Sequence, residues 1–375
     1  MLSLQHHNAT RHGPAGSPFN QSQGDAQVGV ASLALQVNLT LDKISAHGPI
    51  AAALSMSLGV LSNIVALIIL ANAYNRRRSK ATFLLFATSL VATDFAGHII
   101  PGALVLRLYL FGGVSPQDYH SADPLCQFLG GNMVFFGLCP LFLGCAMAAE
   151  RCLGVTRPLL HTSLVTATRT KLSLAVIWLA ALLVALLPCF HMGSYIYQHP
   201  GTWCFIKVLE DTAEADVAFV ALFSGLGLAS LAAALVCNTV SGLTLARARM
   251  RRRPCNRRSA RSHDIEMMVQ LLGIMVTSCI CWSPLLIFGL ITATRSYSGT
   301  IGADLATYET LMVMGVRLAS WNQILDPWVY ILLRRAVLRK LYLITKRHVE
   351  LKDSTLRHWE ATSFGSTEKN AVNRV

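Results

Sequence analysis

The stretch "PIAAALSMSLGVLSNIVALIILANAYNRRRSK" (residues 49–80) decides the fold class, because a long apolar run ends abruptly in a basic cluster. A bilayer core about 30 Å thick is crossed by roughly 20 apolar residues in helical form. Residues 49–73 reach that length, and basic residues beyond such a run are typical of its cytoplasmic end. The stretch therefore predicts a membrane-spanning helix.

Six further apolar runs of similar length follow along the chain. They lie near residues 82–109, 126–154, 171–192, 216–246, 265–293 and 308–333. The chain is 53% hydrophobic and only 14% charged, whereas soluble domains carry about 25% charged residues. The sequence predicts an all-α membrane protein with a seven-transmembrane helix bundle (49–333). We expect an N-terminal tail (1–48) before it, and a short amphipathic helix and tail (334–375) after it.

The basic residues indicate how the bundle is oriented. They concentrate in the odd-numbered connections, such as 75–80 and 247–263, and after residue 333, whereas the even-numbered connections carry acidic residues. By the positive-inside rule, the odd connections and the C-terminus are cytoplasmic. Three glycosylation sequons, at Asn8, Asn20 and Asn38, agree with an extracellular N-terminus. The net charge of +13 thus reflects topology and contact with membrane lipid, and we expect no nucleic-acid binding.

Charged residues at membrane depth are costly, so the few present suggest function. They are Asp94, Glu150, Arg151, Arg317 and Asp326. Arg317 lies 17 residues before Arg334 at the inner interface, or about 25 Å along a helix, which places it in the outer third of the membrane. Asp326 lies about 13 Å deeper, and no other span offers an acid at the level of Arg317. This pattern suits a pocket for an anionic, mostly apolar ligand.

Several classes of membrane protein fit this pattern of charged residues poorly. A receptor for a cationic amine needs an acid in the outer half of the bundle, and a retinal photoreceptor needs a lysine in its last span, where residues 305–333 have none. The chain has no zinc-type cysteine pattern, Gly-rich phosphate loop or nucleophile elbow. We therefore expect no enzymatic activity, no metal and no cofactor. A seven-span lipid or organic-anion transporter stays open as an alternative to a receptor, although we find no internal repeat.

An ordered set of motifs resembles the rhodopsin-like G-protein-coupled receptors. The set comprises "GVLSNIVAL" with Asn63, "SLVATDF" with Asp94, Cys126, Trp178, "CICWSP" with Trp282 and Pro284, and "DPWVY" with Asp326, Pro327 and Tyr330. Within that family, "GTWCF" (201–205), "VRLASWNQILDPWVYILLR" (316–334) and "ERC" (150–152) resemble the prostanoid receptors. The runs 97–109 and 197–206 are similar to the calcium-mobilising prostaglandin E2 receptors, and the prostaglandin F receptors come next.

The resemblance implies a binding site at the outer side. It implies a disulfide between Cys126 and Cys204, which suits an oxidising compartment. It also implies that Arg317 pairs with the carboxylate of a prostaglandin, since a guanidinium grips a carboxylate through two hydrogen bonds. The other expected ligand contacts are Thr202, Trp203, Tyr109, His98, Met133 and Trp321. Plain structural readings stay open: snorkelling for Arg317, interfacial anchoring for Tyr109, and core packing for His98, Met133 and Trp321.

At the inner side, the resemblance implies coupling to a heterotrimeric G protein of the calcium-raising Gq type. Arg151 is expected to contact the G protein, and Glu150 to hold Arg151 in the resting state. The expected switch residues are Asp94, Trp282, Pro284, Asp326, Pro327 and Tyr330. Serine and threonine residues in 353–375 suggest phosphorylation, with receptor kinases and arrestin as further partners.

Overall fold

The computed structural model describes residues 48–76, 81–111, 123–199, 201–209, 212–250, 258–300 and 305–332. Its long helices are Gly48–Arg76 (α1), Ala81–Leu110 (α2), Pro124–Thr156 (α3), Ala167–Ala185 (α4), Glu214–Met250 (α5), Arg258–Tyr297 (α6) and Leu305–Leu332 (α7). Residues Met1–Ile50 form a separate unit, of which only 48–50 are described, and Ala51–Val375 form the unit that contains the bundle. The three sequons and the predicted helix after residue 333 lie outside the described residues.

Each of the seven predicted spans forms a long helix. In lipid, a helix satisfies its own backbone hydrogen bonds, which is why apolar runs of this length adopt it. Within the described ranges, α1 to α6 are long and apolar enough to cross a membrane. Helix α7 has 28 residues, or about 42 Å, which also exceeds the bilayer core. Its charged residues, Glu309, Arg317 and Asp326, lower the hydropathy of its sequence.

Helix α3 occupies the centre of the bundle, where it packs against α2, α4, α5 and α6. Glycines permit the closest approaches. A Cβ added to Gly137 of α3 would lie 2.9 Å from the Trp282 ring of α6, and one added to Gly227 of α5 would lie 2.8 Å from Leu286. Large buried side chains fill the remaining centre; they include Leu138, Phe219, Phe223, Leu286 and Met312.

Two antiparallel strands, Tyr195–Gln198 (β1) and Trp203–Ile206 (β2), form a hairpin between α4 and α5. Tyr195 pairs with Ile206, and Gln198 pairs with Trp203. The turn contains Gly201 at φ 83°, a left-handed conformation that glycine adopts without strain. The ring of Tyr195 lies where a Cβ on Gly130 of α3 would be, at 2.6 Å, so the hairpin packs directly on α3.

Hydrogen bonds near this hairpin show which helix ends lie together. Tyr297, at the end of α6, donates a hydrogen bond at 2.8 Å to Glu214, at the start of α5. Thr212 and Ser296 are also joined, at 2.6 Å. Helix α5 therefore begins, and α6 ends, at the same end of the bundle. Helix α3 also begins there, because the hairpin that packs on Gly130 of α3 is bonded to the start of α5 through Ser194 and Asp216. Helix α7 begins there as well, because it follows α6 after a short connection.

The structure differs from the sequence prediction in three local features. The fourth span was expected over 171–192, but α4 covers Ala167–Ala185 and gives way to a short 3-10 turn, Leu187–Phe190. Pro188 has no N–H for a helical bond, and His191 adopts a left-handed φ of 60°, so the helix cannot continue. The hairpin and a short helix, Pro158–Leu164, were not predicted.

Candidate functional site

A disulfide joins the hairpin to α3. Cys126 and Cys204 are bonded, with their Cα atoms 5.4 Å apart, which confirms the bridge that the resemblance implied. Cys126 lies near the start of α3, and Cys204 lies in β2. We call this end of the bundle the disulfide end and the opposite end, where α3 carries Arg151, the Arg151 end.

Polar bonds hold the hairpin in place. The Tyr197 hydroxyl donates to Asp123, and the Tyr195 hydroxyl donates to the Ala185 carbonyl at 2.8 Å. Ser194 donates to Asp216 at the start of α5, at 2.7 Å. Burial, together with the hydrogen bond to Asp123 and its charge, raises the pKa of Tyr197, which keeps the hydroxyl protonated as a donor. The hairpin is thus anchored to α3, α4 and α5.

Thr202 and Trp203 lie in this anchored hairpin. Thr202 is buried, and its hydroxyl oxygen has no hydrogen-bond partner among the described residues. An unpaired buried hydroxyl is costly, so a polar ligand atom beside it would be stabilised. The Trp203 indole donates to the His199 carbonyl at 3.0 Å, and its ring packs beside Phe205 at 6.2 Å between centroids. Trp203 is therefore held in one orientation.

The level of Arg317 follows from a contact between α3 and α7. The Gln323 side chain donates to the Phe136 carbonyl at 3.1 Å, so these two residues share a level in the bundle. Cys126 precedes Phe136 by ten residues, or about 15 Å along α3. Arg317 precedes Gln323 by six residues, or about 9 Å along α7. Arg317 therefore lies within about 6 Å of the level of the disulfide.

Arg317 is half-buried in α7. In the described ranges, Arg151 forms an ion pair with Glu150, and the His161 ring contacts the same carboxylate; no such contact involves Arg317. A guanidinium at membrane depth is stabilised by an anion or by access to water. The structure thus leaves Arg317 able to accept an anionic partner.

The other side chains that were predicted to contact the ligand differ in burial and in what they pack against. His98 is buried in α2, where its ring fills the space beside Gly59 of α1, and its Nδ1 lies 3.0 Å from the Asp94 carbonyl. Met133 is half-buried and packs against the cluster that contains Cys126 and Leu108. Tyr109 follows Leu108 and is half-buried, whereas Trp321 is 46% exposed. The ligand contacts of these residues stay predictions.

A band of buried polar side chains crosses the middle of the bundle. Asn322 donates to Asp326 at 2.9 Å, while both carboxylate oxygens of Asp94 lack a partner among the described residues. Asn63 of α1 donates to the backbone carbonyl of Gln323 at 3.1 Å. The described residues contain no group of three or more His, Cys, Asp or Glu side chains arranged for a metal ion. Gln323 was not predicted as a functional residue; it is a buried amide in an apolar helix, within the run 316–334.

At the Arg151 end, Glu150 and Arg151 form an ion pair. Arg151 donates through Nε at 2.5 Å and through Nη2 at 2.6 Å to the two oxygens of Glu150. The guanidinium also lies over the Phe83 ring of α2, 4.6 Å from its centroid. His161, on the short helix Pro158–Leu164, places its Nε2 3.1 Å from Glu150. The pair therefore ties α3 to α2 and to the connection between α3 and α4.

The remaining predicted switch residues lie on α6 and α7. Trp282 is buried, packs on Gly137 of α3 and leaves its indole N–H without a partner among the described residues. Pro284 and Pro327 lie inside the helices that carry them, and each removes one backbone donor. The side chain of Tyr330 lies outside the described residues. Their role in switching stays a prediction.

Comparisons with known proteins agree with this arrangement. Residues 62–330 match the family described as 7 transmembrane receptor (rhodopsin family). The prostaglandin E2 receptor EP1 subtype of Canis lupus familiaris is 47% identical over 372 residues, covering 86% of this chain and 89% of that protein. The EP1 subtype of Homo sapiens is 46% identical, with 85% and 89% covered. The prostaglandin F2-alpha receptor of Homo sapiens is 42% identical, with 84% and 86% covered.

The family match runs from residue 62, within α1, to residue 330, within α7. The chain therefore belongs to the rhodopsin family of seven-transmembrane receptors and, within it, to the prostaglandin receptors. The predicted seven-transmembrane all-α fold and the predicted family are both confirmed.

Proposed function

We propose that the chain is a cell-surface receptor for prostaglandin E2 that signals through Gq to raise intracellular calcium. The observation that carries the proposal is Arg317, a half-buried cation near the level of the disulfide that has no ion-pair partner in the described part of the chain. A prostaglandin is a mostly apolar molecule with a carboxylate, and that carboxylate would supply an anionic partner for Arg317.

Neighbouring groups support a carboxylate at this place. A guanidinium presents a planar fork of donors that matches the two oxygens of a carboxylate. The unpaired Thr202 hydroxyl lies in the hairpin, two residues from the disulfide. Tyr109 is adjacent to Leu108, which packs with Cys126, so its hydroxyl is at the same end of the bundle. We assign Thr202 and Tyr109 as additional donors to the carboxylate.

The apolar part of the ligand extends toward the middle of the bundle in this proposal. Met133, one residue before the buried Val134 of α3, and the fixed ring of Trp203 supply apolar contacts. His98 shares the level of Gln323, because the adjacent Gly97 approaches the Gln323 amide. We assign His98 the hydrogen bond to a ring oxygen of the ligand. Trp321, with 46% of its surface exposed, completes an outer wall.

The orientation of the receptor is part of the proposal. The basic connections 75–80 and 247–263 favour a cytoplasmic Arg151 end, and the sequons at Asn8, Asn20 and Asn38 favour an extracellular disulfide end. In that orientation, Arg151 faces the G protein, and its pair with Glu150 belongs to the resting state. Receptor kinases and arrestin would act on the tail 353–375, and the charged connections would contact membrane lipid.

A prostaglandin F receptor is the second candidate, because relatives named prostaglandin F2-alpha receptor are 42% identical to this chain. A binding panel separates the two. Labelled prostaglandin E2 is bound to membranes of cells that express the chain and is displaced by unlabelled prostaglandins E2, F2-alpha and D2. The proposal expects E2 to displace the label at the lowest concentration, together with a calcium response blocked by a Gq inhibitor. Preference for F2-alpha, or transport of the label without calcium release, would contradict it.

A further inference from the structure

Two prolines break the backbone ladder inside α3 and α7. Proline has no N–H, so it cannot donate to the carbonyl four residues earlier. Pro140 lies inside α3, and Pro327 lies inside α7. The carbonyls that lose their helical donors are those of Phe136 and Gln323. In a membrane, such freed carbonyls need another donor from a neighbouring helix or from water.

Gln323 takes part in satisfying both carbonyls. Its own backbone carbonyl accepts a hydrogen bond from the Asn63 side chain of α1, at 3.1 Å. Its side-chain amide donates to the Phe136 carbonyl of α3, also at 3.1 Å. Asn63 is 0% exposed and Gln323 is 9% exposed, so water does not readily replace either bond. One residue of α7 therefore takes part in the hydrogen bonds of both carbonyls that lack a helical donor.

The space for this amide is provided by α2. A Cβ added to Gly97 would lie 3.1 Å from the Gln323 side-chain nitrogen and 3.2 Å from the Phe136 Cβ. Those distances are shorter than ordinary van der Waals contact, so a larger residue at this position would press on the amide. Gly97, Phe136 and Gln323 thus meet at one tight junction of α2, α3 and α7.

We propose that Gln323 is a positioning residue whose amide replaces the backbone donor that Pro140 removes, and thereby fixes α7 against α3. Arg317 lies six residues, or about 9 Å, from this bond on the same helix. The bond therefore helps to fix against α3 the part of α7 that carries Arg317. The inference goes beyond the proposed function and holds for any ligand of this receptor.

A double-mutant cycle on the purified, ligand-free receptor tests the proposal. Gln323→Met keeps the length of the side chain but removes the donor, and Pro140→Ala returns a backbone N–H to the Phe136 carbonyl. We expect Gln323→Met to lower the thermal midpoint by about 3 °C in the native background, because it leaves a buried carbonyl unpaired. In the Pro140→Ala background, the same change should lower it by less than about 1 °C.

The control pairs Gln323→Met with Gly144→Ala, a change on α3 in which the added methyl meets nothing within 4 Å. That pair should be additive. Equal losses from Gln323→Met in the native and Pro140→Ala backgrounds would overturn the proposal, because a packing role for Gln323 does not depend on the donor at residue 140. If Pro140→Ala yields too little protein, Pro140→Ser restores the same N–H and completes the cycle. Thermal midpoints without ligand do not depend on prostaglandin binding, so this result is separate from that of the proposed function.

Discussion

Replacing Glu150 by Gln removes one charge from the ion pair at the Arg151 end while keeping the size of the side chain. Glu150 accepts hydrogen bonds from Arg151 on both of its oxygens, at 2.5 and 2.6 Å, and its Oε1 lies 3.1 Å from His161. A glutamine offers one oxygen and one NH2 group. The NH2 group cannot accept from the guanidinium, so Gln keeps at most one of the two bonds.

The size of the effect follows from these contacts. A hydrogen bond between charged groups contributes about 1.5–3 kcal/mol, and a neutral one contributes about 0.5–1.5 kcal/mol. Losing one bond and the charge on the other therefore weakens the pair by about 2 kcal/mol. If the pair stabilises the resting form, the ratio of active to resting receptor rises about 30-fold.

The assay is agonist-independent G-protein activation at matched surface expression. Glu150→Gln should raise this basal signal and should shift the agonist response to lower concentration. His161→Ala should raise it less, because it removes a single contact with Glu150. Thr162→Ala is the control, since the exposed Thr162 hydroxyl bonds only a carbonyl of its own short helix among the contacts described. An unchanged basal signal in Glu150→Gln, at normal expression, would refute the reasoning.

Three further predictions concern the disulfide, coupling and orientation. Cys204→Ser should lose agonist binding and surface expression, whereas Cys189→Ser, which changes an exposed free thiol, should be nearly silent; equal losses in both would count against the bridge. Arg151→Ala should keep agonist affinity within a few fold and abolish the calcium response, and the opposite pattern would contradict its assignment. An epitope placed before residue 48 should stain intact cells, and one placed after residue 360 should stain only permeabilised cells; reversed staining would contradict the orientation.

The positions of the seven helices followed from the sequence, because apolar runs of membrane length leave few alternatives. The sequence did not show which face of each helix is buried. A helix that is apolar on all sides carries no clear period to show which side is buried. Gln323 and Phe136 are 187 residues apart in the chain, and their contact depends on helix rotation that the hydrophobic pattern does not define.

The hairpin could have been predicted from the sequence. The run "YIYQHPGTWCFI" (195–206) has two β-prone segments around a Pro-Gly pair, which is a hairpin signal. The contact between Glu150 and His161 could not have been predicted, because it depends on how a short helix folds back on α3. Arg317 was recognised because charge at membrane depth is rare, whereas Gln323 was not, because an amide gives a weaker signal.

The most direct measurement of the central claim is a cycle of two receptors and two ligands. Wild type and Arg317→Gln are each titrated with prostaglandin E2 as the free acid and as its methyl ester, at matched surface expression. Arg107→Gln, which changes an exposed arginine on α2, is the control. If Arg317 pairs with the carboxylate, Arg317→Gln should weaken acid binding roughly ten- to a hundred-fold, as expected for a charge-assisted hydrogen bond, and should weaken ester binding much less. Equal losses for acid and ester would show that Arg317 does not face the carboxylate.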